Sequence, residues 1–147
     1  MKGPSMKMPL AAVPMILALL GAVPQDDARK ELAKFEGTWQ PYYVEIDGKE
    51  LKTNIKDDRL VIAGKSFMFT GKEKFDGTIT IDPSKKPPAI DTEVTSGEHK
   101  GSKMVGIYEI SKEALTVCYR ESPGERPTEF NTKEKSGRII VMYKRVK

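Results

Sequence analysis

The chain has 147 residues, a length that suits one domain, and carries 25 basic against 21 acidic residues with one histidine and one cysteine. Charges of both signs are interspersed along it, with no basic stripe threaded by aromatics, which speaks against nucleic acid as a partner. The lone Cys118 excludes an internal disulfide, and no CxxC pair offers a zinc or redox site, so packing must stabilise the fold.

The N-terminus reads as an address. Lys2 and Lys7 precede an apolar run at 9–20, PLAAVPMILALL, and Gly21 and Ala22 supply small residues before Gln25-Asp26-Asp27. This is the layout of a secretory signal peptide, which assigns 1–22 to the signal and 23–147 to the mature domain. Twelve apolar residues make a helix of about 18 Å, too short for a hydrocarbon core of about 30 Å, so no membrane span is expected. No cysteine follows the run to take a lipid anchor. The expected location is secreted or periplasmic. Without the signal the balance falls to 23 basic against 21 acidic residues, so the high isoelectric point says little about the mature protein.

One short helix comes next. Asp26 or Asp27 can cap it, Leu32 and Phe35 share a face of DDARKELAKFEG, and Gly37 ends it. Beyond Gly37 the helical period gives way to short β-type runs, broken by turn residues every 8–12 positions or so. They cover 38–46, 59–63, 66–70, 74–81, 89–95, 103–110, 115–121, 127–132 and 138–146, which makes eight or nine strands. Short connections favour antiparallel neighbours. A small antiparallel sheet must bury one face and hide its edges, and closing on itself does both. The predicted fold class is therefore all-β, an up-and-down barrel of about eight strands behind a short N-terminal helix.

The turn at Lys112-Glu113 predicts a register. It pairs Ile110 with Leu115, Tyr108 with Val117 and Gly106 with Tyr119, and puts them on one face with Met104. Met104, Tyr108, Val117 and Tyr119 thereby become candidates to line a cavity, and Phe130 joins them as a large apolar residue expected to enter the core. The opposite face is apolar at Val105, Ile107 and Cys118 and needs a cover, for which the Leu32–Phe35 helix face is the nearest candidate. Cys118 reads as a buried, inert thiol.

Chemistry is scarce. His99 sits in a turn, SGEHKG, and a single histidine cannot build a multi-histidine metal site, so neither metal nor cofactor is expected. Gly64-Lys65-Ser66 resembles the end of a phosphate-binding loop, but Arg59 stands where the first glycine belongs. No G-x-S-x-G elbow or G-x-G-x-x-G turn occurs. Asp82 is a turn former before Pro83, and Asp91 and Glu93 point away from Ile90, Thr92 and Val94. In Arg126-Pro127-Thr128-Glu129-Phe130, Arg126 can bond a ligand anion or staple a loop to a carboxylate. No constellation suggests an enzyme.

Two features resemble the lipocalins: Gly37-Thr38-Trp39, a G-x-W opening the first strand after a short helix, and Arg145 in the last strand. The resemblance implies a Trp that closes the barrel floor and an Arg that lies across it. A fuller similarity, carried by GTWQ at 37–40, DPSKKPPAID at 82–91, GIYEI at 106–110, LTVC at 115–118 and RPTEF at 126–130, is to an uncharacterised lipocalin-like domain family common in planctomycete bacteria. It implies a lipocalin-like (calycin) barrel and a secreted location, and no activity. Strand geometry leads to the same floor. Gly37 leaves Trp39 at one end of the barrel, Ile139, Val141, Tyr143 and Arg145 share a face, and closure makes the first and last strands neighbours. Arg145 is expected to stack on Trp39.

Two functions compete. One is an extracytoplasmic binding module for a small apolar or amphipathic molecule. The other is a protein-interaction or envelope-structural module whose barrel is filled by its own large side chains, among them Phe67, Phe69, Phe75 and Met142. A cavity of about 300 Å³ or more favours the first.

Overall fold

In the computed structural model, which describes residues 25–147, helix α1 (Gln25–Ala33) precedes nine strands. They are β1 (Gly37–Ile46), β2 (Lys49–Glu50), β3 (Arg59–Ala63), β4 (Ser66–Thr70), β5 (Lys74–Asp82), β6 (Ala89–Val94), β7 (Lys103–Ile110), β8 (Ala114–Glu121) and β9 (Arg138–Arg145). The expected signal peptide at 1–22 lies outside the described residues. Every strand pair is antiparallel, in the order β2-β1-β3-β4-β5-β6-β7-β8-β9, and β1 also pairs with β9. Eight strands thus form a closed ring, and β2 is a short extra strand on the end of β1. Asp47 and Gly48 both take positive φ, the conformation a tight hairpin needs, and return the chain from β1 to β2.

The predicted register of the β7–β8 hairpin is the one observed, including Ile110 opposite Leu115 and Gly106 opposite Tyr119. Inward rows from all eight ring strands meet in one core that includes Trp39, Ile62, Phe67, Ile79, Ile90, Tyr108, Leu115, Val117, Val141 and Tyr143. Pro41 has no N–H to give to the ladder. The β1–β9 register shifts between Pro41 and Tyr43, which turns Tyr42 out to solvent and keeps Val44 in the core.

Three expectations are corrected. Residues 127–132 form no strand. Both edges of β8 are already taken, by β7 and β9, so the ladder has no place for another strand there. The segment between β8 and β9 instead crosses the outside of the wall. Phe130 accordingly leaves the core and packs with Ile107, Cys118, Ile140 and Met142 in a separate outer cluster. This cluster is the cover that the apolar outer face required. The helix is not that cover: Phe35 is fully buried in the main core with Leu32 against it, so α1 closes one end of the barrel.

Candidate functional site

The ring encloses a cavity of about 450 Å³. Its wall is built from strand alternation: Leu60 and Ile62 on β3, Phe67 and Phe69 on β4, Phe75 and Ile79 on β5, Val117 and Tyr119 on β8, Val141 and Tyr143 on β9. Phe69 stacks on Phe75 with ring centroids 5.1 Å apart, and Phe67 meets Phe75 edge-on at 6.1 Å. Two glycines let bulky neighbours lie against the sheet. Gly77 faces Phe67 across β4–β5 and Gly106 faces Tyr119 across β7–β8. No lysine or arginine lines the cavity among the described residues.

One end is sealed. Trp39 is fully buried, and its Nε1 donates to the Phe35 carbonyl at 2.8 Å, holding the indole under the end of α1. Arg145 lies opposite it in the β1–β9 register, with the guanidinium carbon 4.2 Å from the indole centroid. The same guanidinium donates to the carbonyls of Lys34 at 2.8 Å, Glu36 at 2.6 Å and Lys112 at 2.6 Å. Two of those carbonyls follow the helix and have no strand partner, which is why a rigid multi-donor fork suits the position. Gly37 is required twice over. Its φ is +127°, and a Cβ there would stand 2.7 Å from Arg145 Nη1.

Tyr108 belongs to this floor and does not line the cavity. Its ring meets Phe35 edge-on at 5.0 Å, and its hydroxyl donates to Glu31 at 2.9 Å. Burial works against a charge on Glu31, but hydrogen bonds from Lys34 and Tyr108 outweigh it and hold the carboxyl below its usual range. Of the other candidate lining residues, Met104, Val117 and Tyr119 do face the cavity, and Phe130 lies outside the wall. The β3–β5 wall was not singled out from the sequence. The turn at Gly64-Lys65 carried the signal, since it pairs Phe67 with Ile62 and Phe69 with Leu60.

The opposite end is the mouth. Ile55, Asp58, Glu73, His99 and Ser102 stand on its rim. His99 Nε2 lies 3.7 Å from Glu73 Oε1, and with Glu98 these residues can bring three ligand atoms within 4.8 Å of one another, all of them exposed to solvent.

Arg126 acts as a staple. Its Nη1 donates to Asp91 at 2.7 Å, to the Gly106 carbonyl at 2.9 Å and to the Ile90 carbonyl at 3.3 Å, pinning the β8–β9 segment to β6 and β7. Thr132 holds the far end of the segment. Its hydroxyl accepts from the Gly48 N–H and donates to Glu45, whose carboxyl is held low by that bond and by one from Tyr43. Cys118 lies beneath the segment, fully buried, with the Glu129 and Asn131 carbonyls 3.7 and 3.6 Å from its sulfur. Burial pushes its thiol up. Native labelling of Cys118 by a thiol reagent is expected to be roughly a hundredfold slower than in denaturant, as a local opening energy near 3 kcal/mol requires, and Arg126→Ala should accelerate it. Equal rates in native and denaturing buffer would show that the segment does not cover the thiol.

Among the described residues no helix is long and apolar enough to cross a membrane. Set against family models, curated proteins and solved structures, the chain matches none of them.

Proposed function

We propose that this chain is a non-catalytic, extracytoplasmic lipocalin-like domain that holds a small apolar or amphipathic molecule inside its barrel. The cavity carries this reading: about 450 Å³ of space behind an almost wholly apolar wall, within the range of about 300–1,000 Å³ that small-molecule sites occupy. A barrel filled by its own side chains, the competing expectation, would leave no such space. Eight-stranded barrels are wide enough to hold one small ligand. Membership of the lipocalin-like family of planctomycete bacteria is part of the proposal and rests on G-x-W at 37–39, Arg145 and the segments around GIYEI and RPTEF. The extracytoplasmic location rests on the charge–apolar–small layout of the N-terminus.

Titration with N-phenyl-1-naphthylamine, a neutral apolar fluorophore, tests the binding. Saturable binding of one probe per chain is expected, weakened about tenfold by Val117→Phe, which grows into the cavity. Absence of saturable binding would leave the cavity without a role. Native mass spectrometry of protein purified from its own host would reveal a retained ligand directly. N-terminal sequencing of exported material is expected to begin between Val23 and Asp27, and intact Met1 in a soluble cytosolic fraction would remove the extracytoplasmic reading.

A further inference from the structure

The chain has five tyrosines, and their hydroxyls fall into two groups. Three have partners: Tyr42 on Met142 Sδ at 3.9 Å, Tyr43 on Glu45 at 2.8 Å and Tyr108 on Glu31 at 2.9 Å. The other two, Tyr119 and Tyr143, are the tyrosines that line the cavity. Among the described residues neither hydroxyl makes a hydrogen bond, and neither is sealed inside packed protein, so each opens to the cavity space. Tyr143 is only 8 % exposed. Inside an apolar cavity each hydroxyl has only water or a bound molecule to turn to, whereas phenylalanine would fill the same wall with no polar group to satisfy. The arrangement makes sense if a bound molecule supplies the missing acceptor.

The charge of that acceptor follows from its surroundings. No lysine or arginine lines the cavity among the described residues, and the carboxylates that do line it, Asp58 and Glu73, are at its mouth. His99 is the one basic side chain among the described residues that line the cavity, and it is exposed and lies beside Glu73. A carboxylate drawn between the tyrosines would be desolvated with no counter-charge and would face acids at the rim. Burial keeps both phenols protonated, Tyr119 being pushed up to about 12, so they remain neutral donors.

Resting on the reading of the cavity as a ligand site, we propose that its ligand carries an uncharged hydrogen-bond-accepting oxygen, such as a ketone or ester carbonyl, which Tyr119 and Tyr143 hold inside the barrel. Free fatty acids are thereby selected against.

Displacement of N-phenyl-1-naphthylamine from the full mature chain by three molecules of matched length tests this: 2-tridecanone, tridecane and dodecanoate. The ketone is expected to displace the probe at about three- to tenfold lower concentration than the alkane, as one or two neutral hydrogen bonds allow, and dodecanoate is expected to be the weakest. Tyr119→Phe and Tyr143→Phe should each reduce the preference for the ketone over the alkane, and a circular dichroism spectrum and Tm close to those of the parent chain report that each barrel has folded. Equal displacement by ketone and alkane, as when water alone satisfies the hydroxyls, overturns the proposal. So does preference for dodecanoate, or a ketone preference that survives both substitutions. Failure of the wild-type chain to bind the probe at all is a different result, and it removes the ligand site itself.

Discussion

Combining Trp39→Phe with Arg145→Gln is expected to give a coupling energy well above ~0.5 kcal/mol when both single variants and the double are unfolded in denaturant. Arg145→Gln alone should cost about 2–3 kcal/mol, the range for charge-assisted hydrogen bonds together with a partly desolvated cation–π contact. Trp39→Ala should cost about 3–5 kcal/mol, since the indole is fully buried and its removal opens a cavity at the floor. The coupling arises because one guanidinium does two jobs. It covers the indole at 4.2 Å, and from there it bonds carbonyls of the helix end and of the β7–β8 turn. A smaller ring would loosen the seat from which those bonds are made. Arg145→Lys should recover little, because an ammonium offers no planar fork. Strictly additive losses would show that Trp39 and Arg145 act independently.

Gly106→Val is expected to lower Tm by roughly 10 °C or more, corresponding to an overpacking cost of about 3 kcal/mol in a domain of this size. The reason is proximity and not backbone conformation. A Cβ at residue 106 would stand 2.6 Å from the Cys118 carbonyl oxygen and 2.7 Å from Tyr119 Cβ, on the neighbouring strand. Neither atom is the end of a flexible side chain, so the β7–β8 ladder itself would have to move. The ladder also carries Tyr119 into the cavity and Cys118 into the outer cluster, so both faces of the wall would be disturbed. A Tm within about 2 °C of the parent chain would show that the ladder yields at little cost.

Most strand boundaries were legible because turn chemistry marks them. Asp47-Gly48, Gly64-Lys65 and Lys112-Glu113 each end a run where the structure ends a strand, within a residue. The floor was legible because Gly37, Trp39 and Arg145 lie at strand ends, where closure of the ring leaves them few places to go. The path of residues 122–137 was not. A short run from Pro127 to Thr132 with Phe130 as its large apolar residue fits a strand and equally fits a segment laid over an apolar outer wall; the choice depends on whether β8 has a free edge, a property of the ring as a whole. The cavity was hidden for a related reason. The number of large side chains suffices to fill the barrel, but Trp39 and Tyr108 are spent on the floor and Met142 and Phe130 pack outside. What remains for the middle of the barrel is too small to fill it.

If the cavity takes a ligand as proposed, the sealed floor also sets the route to it. Around the wall, any opening would break a strand ladder, and beneath it an opening would have to lift Trp39 away from Arg145 and the helix end. Among the described residues the rim is the boundary that can part most cheaply, because it is made of loops. A molecule entering or leaving would therefore pass Asp58, Glu73 and His99, by the same route both ways. Affinity would be written in the wall, but residence time would be written in the motion of those loops, on the nanosecond-to-microsecond scale of loop movement or slower where a lid must open.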